Sequence, residues 1–435
     1  MFDDILSTLS FVDIFNICVF ITFTFCYAYQ LFYVLVVLTR KAPKQTAKKN
    51  HRYAVLIAAR NENAVIGDLI HSIRVQNYPQ ELIDIFVIAD NCTDNTAAIA
   101  QEAGAIVFPR FNTEQIGKGY ALDYGVTCIR EHYSENEYEA YFVFDADNVL
   151  DVNYFREMNK VFDGGAIAST SYRNSKNFGS NWISAGYGVW FLREAKYLSQ
   201  ARLTLNTSCA VSGTGFFVSA KIIEKMGGWK FHLLTEDLEF TMDSVLHGDR
   251  IGYVGSAILY DEQPVTFAQS WRQRLRWSKG FLQVFRYYGP ALVRRAIQER
   301  DFSSIDLTLF ICPFTVLAII RVLLGTIFAA CGFISWSSQG AALFNWMLGV
   351  VSSMVFMMVL AGLTMVVERK QIGASNRELF AYALSFPIYI LSYVPISFQA
   401  VFAKAQWKPI EHQGSSGAED PRIREQDREE RAMAS

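Results

Sequence analysis

The sequence predicts an α/β domain, a parallel sheet covered on both faces, inserted between membrane-spanning helices. Three observations predict it. Apolar, β-branched runs alternate with helical patterns between residues 53 and 145, three of those runs lead into an acidic residue, and long stretches free of charge flank the domain. The chain has 435 residues, 51% hydrophobic, 14% aromatic and 19% charged, where a soluble domain carries about a quarter charged. This composition puts part of the chain in lipid and excludes extended disorder and collagen-like structure. Lys and Arg total 40 against 42 Asp and Glu, a net charge of −2, so no nucleic-acid partner is expected. Seven cysteines (18, 26, 92, 128, 209, 312 and 331) include no C-x-x-C pair, which implies neither a disulfide framework nor a zinc site and fits a reduced compartment.

Residues 14–38 contain no Asp, Glu, Lys or Arg, and about 20 helical residues suffice to cross a hydrocarbon core. A secretory signal would want a basic start and an apolar core of about 7–15 residues. Here the start holds Asp3 and Asp4 and the run is longer. A transmembrane helix is therefore expected over 11–39. The flank that follows carries Arg40, Lys41, Lys44, Lys48, Lys49 and Arg52, which places the next domain in the cytosol. Further apolar blocks cover 305–367, interrupted by Arg321 and a polar stretch at 335–340, and 379–403, where Pro387 and Pro395 are expected to break the helix. Three spans over 303–403 are the simple count. That count would leave Trp407-Lys408-Pro409-Ile410 outside, and the block around Arg321 has room for a re-entrant piece, so the parity stays open. Residues 413–435 are charged and expected to be disordered.

Between the membrane segments, strands are predicted at 53–59, 85–89, 105–108 and 141–144, with helices at 64–74, from about Thr96, and after the Gly117-Lys118-Gly119 turn. Ligands of such sheets sit outside the carboxyl ends of the strands, where Glu62, Asp90 and Asp145 fall.

Asp145-Ala146-Asp147 sets two carboxylates on one side of an extended segment, as Mg²⁺ or Mn²⁺ requires when phosphate oxygens and water complete its shell. Asp is also common in turns. Asp90 and Asp94 could equally be turn and N-cap residues of the helix at Thr96. In Thr235-Glu236-Asp237 the acids suit a first helical turn, capped by Thr235, and Asp237 equally suits a general base for a sugar hydroxyl. Residues 270–286 mix Trp271, Trp277, Phe281 and Phe285 with Arg272, Arg274, Arg276 and Lys279, the pattern of a basic helix lying on the membrane surface. The same helix could hold an anionic leaving group on Gln273 and Arg276 while Trp277 stacks on a sugar. Ser212-Gly213-Thr214-Gly215 permits close approach of backbone to a ligand, or a tight turn before Phe216.

The order Arg60-Asn61-Glu62, Asp90, Lys118, D-x-D at Asp145 and Asp147, T-E-D at 235–237 and Q-x-x-R-W at 273–277 resembles the family 2 membrane glycosyltransferases, which include the cellulose, chitin, hyaluronan and poly-N-acetylglucosamine synthases. The resemblance covers residues 50–290 and the flanking spans. It implies a GT-A fold and inverting transfer from a UDP-sugar. It further implies that Asp90 binds uridine with Glu62 beside it, that Lys118 lies near the base or the diphosphate, and that Asp147 with Asp145 holds a divalent cation (Mg or Mn). By the same resemblance Asp237 deprotonates the acceptor with Glu236 in support, and Gln273, Arg276 and Trp277 close over the diphosphate and the acceptor sugar.

Three outcomes are open. The first is a polymerase extending a β-linked glycan in an integral, multi-pass protein of the cell membrane, with an accessory export subunit as a conceivable partner. The alternative is a glycolipid synthase with a membrane-lipid acceptor, which needs no channel and suits the small number of spans, whereas the T-E-D and Q-x-x-R-W pair favours the polymer. The third, of another class, is a transporter or non-catalytic scaffold.

Overall fold

The computed structural model describes residues 29–40, 45–332 and 335–404. Of the span expected over 11–39, helix α1 (Tyr29–Thr39) falls within them. The earlier part of that span, the Trp407 element and the tail at 413–435 lie outside the described residues.

The predicted alternation is present as β1 (Tyr53–Ala59), α2 (Ile66–Arg74), β2 (Ile83–Asp90), α3 (Thr96–Glu102), β3 (Ile106–Arg110), α4 (Lys118–His132) and β4 (Ala140–Asp145). Strand β3 runs two residues past the expected 105–108, because Arg110 pairs in register with Asp90 and closes an ion pair with it at 2.6 Å. The domain continues with β5 (Val149–Leu150), α5 (Tyr154–Asp163), β6 (Ala168–Ser175) and α6 (Trp182–Arg193). A π-helical stretch, Glu194–Ser199, joins α6 to α7 (Gln200–Thr204); then come β7 (Phe216–Ser219), α8 (Ala220–Met226), α9 (Glu236–Leu246) and β8 (Ile251–Asp261).

The eight strands lie in the order β3-β2-β1-β4-β7-β6-β8-β5. The first four are parallel, as expected. The second half corrects the expectation of a wholly parallel sheet, since β7 is antiparallel to β4 and β6, and β5 to β8. The reason is local. The Gly215 N–H donates to the Val143 carbonyl at 2.9 Å, so the loop before β7 ends near the carboxyl end of β4, and the strand leaving it runs back the other way.

The central strands read as unbroken apolar runs because both faces are covered. Val55, Ile57, Val87, Phe142 and Phe144 pack with Ile66, Leu69, Ile70 and Ile73 of α2 and Phe155 of α5. Leu56, Phe86, Ile88 and Val143 point the other way, onto Ala121, Leu122 and Val126 of α4. Register then sets the carboxyl ends side by side, with Ala58 opposite Asp145 and Ala59 opposite Ala89.

Helix α10 (Phe267–Glu299) leads into α11 (Phe302–Ile311), α12 (Phe314–Ala330), α13 (Trp336–Val367), α14 (Asn376–Leu391) and α15 (Tyr393–Phe402). Helix α13 and the segment Asn376–Phe402 are each long and apolar enough to cross a membrane, while α11 and α12 bend by 55° at their junction and make a third span if counted together. Pro313, which offers no N–H and restrains the residue before it, stands at that bend. One expectation is corrected: Pro387 sits inside α14 without ending it. The break falls at Ser392, where Pro395 clashes with, and cannot donate to, the carbonyl of Leu391 four residues upstream.

The domain is fastened to these helices by close contacts. At Gly186 of α6 a β-carbon would lie 2.6 Å from the Tyr389 ring, so only glycine lets α6 and α14 approach this far. Arg274 corrects the picture of a uniformly solvent-facing basic helix. It is 0% exposed, donates to the Tyr389 carbonyl at 3.1 Å and to Ser392 Oγ at 2.6 Å, and lies over the Tyr389 and Tyr393 rings. Arg202 of α7 and Asp306 of α11 form a wholly buried pair at 2.6 and 3.0 Å. Removing one partner strands the other charge in a dry interior. Arg202→Ala is expected to cost about 3–5 kcal/mol, read as a lower unfolding midpoint in detergent, and Arg202→Met with Asp306→Leu to recover most of it.

Candidate active site

The carboxyl ends of β1, β2 and β4 open into a cavity of about 570 Å³. The ten residues to which the resemblance assigns roles all line it. Glu62 follows β1, Asp90 ends β2, Lys118 opens α4, and Asp145 ends β4 with Asp147 just beyond. Glu236 and Asp237 come from the first turn of α9, and Gln273, Arg276 and Trp277 from α10.

Lys118 ties three of these segments together. Its Nζ donates to Asp145 Oδ1 and, at 2.8 Å, to the Gly213 carbonyl, and stands 3.8 Å from Glu236 Oε1. Burial alone would lower its pKa, but Asp145, Glu236 and Asp237 outweigh it and hold the ammonium protonated. Asp90 is 5% exposed and paired with Arg110, and as the last residue of β2 it belongs to the strand and does not play the part of a turn residue. Asp94 does fill that part, accepting from the N–H and hydroxyl of Thr96 at 3.0 and 2.6 Å.

The D-x-D segment is a turn rather than the extended piece expected, with the Asn148 N–H donating to the Asp145 carbonyl at 3.1 Å, and it is held from below. The Asp145 N–H donates to Thr214 Oγ1 at 2.9 Å, and the Thr214 hydroxyl donates to Asn148 Oδ1 at 2.5 Å. Asn148 Nδ2 also reaches Asp147 Oδ1 at 3.3 Å and Asp261 Oδ1 at 3.2 Å. Asp147 is 4% exposed. Among the described residues no group of three or more His, Cys, Asp or Glu is arranged to hold a metal. Two carboxylates at a strand end nevertheless suit Mg²⁺ or Mn²⁺, which take one or two carboxylates and fill the rest of the shell with substrate phosphate and water.

Helix α9 corrects one sequence expectation. Thr235 does not cap it by its side chain, because Gly280 of α10 packs against that side chain, close enough that a β-carbon there would meet Thr235 Cγ2 at 2.4 Å. Asp237 instead accepts from the Gly213 N–H at 2.5 Å. Burial raises the Asp237 carboxyl, opposed by the Leu238 and Gly213 N–H groups and by Lys118. Burial also pushes Glu236 from the usual 4.5 to about 7, with Lys118 opposing and Asp237 adding to the rise.

The Glu236 shift carries a stability consequence. Between pH 4.5 and 7 the folded state holds a proton that the unfolded chain has released, so this group's contribution is intact below 4.5 and is lost as pH rises through about 7. Glu236→Gln is therefore expected to unfold with less difference between pH 5 and pH 8 than the parent, checked by thermal melts at the two pH values.

On the opposite wall, Gln273 Oε1 and Arg276 Nε are buried polar atoms without a hydrogen-bond partner among the described residues. Leaving such atoms unpaired is costly, and a bound ligand would satisfy them. Trp277 meets Tyr187 and Phe191 edge to face.

Sequence reasoning missed Arg173, Glu194 and Asp261, all lining the cavity. For Asp261 the signal was present, since β8, like β2 and β4, is an apolar strand that ends in Asp. Nothing in the pattern of β6 marks Arg173. Away from the strands the cavity changes character and runs between Phe310, Pro313, Val316, Met357, Ile390 and Val394 of the C-terminal helices.

The model of the "Glycosyltransferase like family 2" matches residues 51–280, more than half of the chain. A β-monoglucosyldiacylglycerol synthase of Synechocystis sp. is 26% identical over 235 residues, 54% of this chain and 48% of that protein. A poly-β-1,6-N-acetyl-D-glucosamine synthase of Staphylococcus epidermidis is 24% identical over 238 residues, 53% of this chain and 54% of that one. The chain thus spans about half the length of these curated relatives. Among solved structures, a mannosyltransferase of Pyrobaculum calidifontis in complex with GDP-mannose and Mn²⁺ aligns with a TM-score of 0.46 at 15% identity, covering 76% of this chain and 96% of that one.

Proposed function

We propose that this chain, which belongs to glycosyltransferase family 2, moves a hexose or N-acetylhexosamine from a UDP-sugar to a hydroxyl group presented at the membrane side of its cavity, with inversion. The observation that carries this reading is the cavity itself, in which the acidic and basic residues of the strand ends continue into an apolar passage between helices. In this reading Asp90 and Glu62 receive the nucleoside. Lys118, Gln273 and Arg276 surround the diphosphate, and Arg276 stabilises the charge that grows on it as it leaves. A divalent cation on Asp147 and Asp145 would offset the remaining charge on the leaving group. Asp237 takes the proton of the acceptor hydroxyl, which attacks the anomeric carbon from the face opposite the departing UDP and turns an α-linked donor into a β-linked product.

The apolar passage supports a lipid acceptor. A glycan strand needs hydrogen-bond partners along its path, whereas acyl chains are held by surfaces such as Phe310, Met357 and Val394. A growing β-glycan is the second reading, supported by Trp190 and Trp277, whose rings on the cavity wall could stack on sugars. We place the catalytic domain in the cytosol, on the strength of the basic flank from Arg40 to Arg52.

The test is turnover of the purified protein in lipid with Mg²⁺ or Mn²⁺ and a panel of radiolabelled UDP-sugars. Label extracted with the lipid fraction supports glycolipid synthesis. A high-mass, glycosidase-sensitive product supports the polymer, and no UDP release from any donor overturns both.

A further inference from the structure

Arg173 has no part in the chemistry above, yet its guanidinium is buried in the wall of the same cavity. It lies 4.0 Å from the centre of the Phe191 ring. Nε donates to Asp261 Oδ2 at 2.8 Å, Nη2 donates to the same oxygen, and Nη1 donates to the Ser212 carbonyl at 2.9 Å. Asp261 is anchored in turn by Gln263 Nε2 at 2.9 Å and Asn148 Nδ2 at 3.2 Å.

The Ser212 carbonyl and the Gly213 N–H belong to one peptide group. That group is planar, and its two polar ends point in opposite directions. Arg173 holds the carbonyl end, and Asp237 Oδ2 accepts from the N–H end at 2.5 Å. The next carbonyl, of Gly213, accepts from Lys118 at 2.8 Å. Gly213 has φ +81°, and a β-carbon there would stand 3.4 Å from Arg173 Nη1, so the turn is left-handed and lies in van der Waals reach of the guanidinium. Without the guanidinium the carbonyl end of this peptide loses its hold, and only the Asp237 and Lys118 bonds are left to fix the plane.

We propose that Arg173 is a positioning residue that presets Asp237 through the Ser212–Gly213 peptide plane, with Asp261 as its anchor. The inference rests on the reading of Asp237 as the base. Like other supports one step removed from the reacting atoms, it should be worth about 10–100-fold in rate.

The experiment measures UDP release by the full-length protein in lipid, with Mn²⁺ and its best donor, for Arg173→Lys, for Arg173→Met combined with Asp261→Asn, and for each in an Asp237→Asn background. The double replacement leaves no unpaired buried charge, and Arg173→Lys serves should it fail to fold. The expected result is a kcat lower by about 10–100-fold, with little change in the KM for the donor or in half-saturating Mn²⁺, and no further loss once Asp237 is Asn, because both changes then act on one device. A raised donor KM with kcat held would mean that Arg173 contacts the donor directly, and losses that multiply in the Asp237→Asn background would mean that it acts elsewhere; either overturns the proposal. Should Asp237→Asn alone keep its rate, the base reading fails and this inference with it. An inactive Asp237→Asn beside Arg173 variants of full kcat sinks this inference alone.

Discussion

Asp237→Asn is expected to lower transfer by about 10²–10⁴-fold, the usual worth of a positioned general base, while UDP binding changes little. The substitution is close to a deletion of one function only. An Asn carbonyl oxygen can still accept the Gly213 N–H that Asp237 accepts at 2.5 Å, and α9 keeps its Thr241 hydroxyl bond to the Asp237 carbonyl at 2.8 Å. What is lost is the capacity to take a proton, and with it the negative charge that helps hold Lys118 protonated and adds to the rise of Glu236. The nucleoside end of the cavity, with Asp90 on Arg110, is built from different strands, so UDP affinity by calorimetry should hold. The parent enzyme's pH profile is a second readout. A base must be ionised, and burial raises the Asp237 carboxyl. The acid limb of kcat/KM should therefore lie above the ordinary carboxylate range near 3.9. Glu236 titrates at about 7 beside it, so the limb belongs to the pair rather than to one residue. Full activity in Asp237→Asn would remove Asp237 from the mechanism.

The strand half of this site was legible in the residues because two periodicities coincide there. A strand buried on both faces is apolar throughout, and a polar residue at its end stands out, as Asp90 and Asp145 do. Asp261 ends β8 in the same way, but β8 pairs beyond the antiparallel β7. Sequence alone does not show that it returns to the same edge. Register decides this, with Ser175 of β6 opposite Asp261. Arg173 was invisible for a related reason: it sits inside a strand with ordinary polar neighbours, and its meaning comes from Asp261 and the Ser212 carbonyl, 88 and 39 residues on. In α10 the reading was half right. Composition offered a basic surface helix, whereas Arg274 is buried against Tyr389 and Tyr393 and Arg276 lines the cavity. Charge counting cannot tell an arginine that docks two helices from one that faces lipid headgroups, because the difference lies in what the neighbouring helix presents.

Asp147→Ala should abolish the dependence of donor binding on the divalent cation and lower turnover by about 10²–10³-fold, the scale of losing one preorganised electrostatic contact to the transition state. The surroundings make this a clean experiment. Asp147 is 4% exposed, so removing a buried carboxylate could be feared to unravel the strand end. Its neighbours, however, keep partners of their own: Asp261 stays on Arg173 and Gln263, and Asn148 still bonds Asp261 and Thr214. Asp145 remains held by Lys118, so one carboxylate with a competing ammonium is left to meet the ion. Lys118 then decides how far activity falls, because an ammonium already seated on Asp145 neutralises some of the charge that a cation would. Titration of Mn²⁺ against UDP binding should give a sloping dependence for the parent and a flat one for Asp147→Ala, with unfolding midpoints close together. An unchanged Mn²⁺ dependence would take Asp147 out of the metal site and leave Lys118, Arg276 and Gln273 to carry the diphosphate alone.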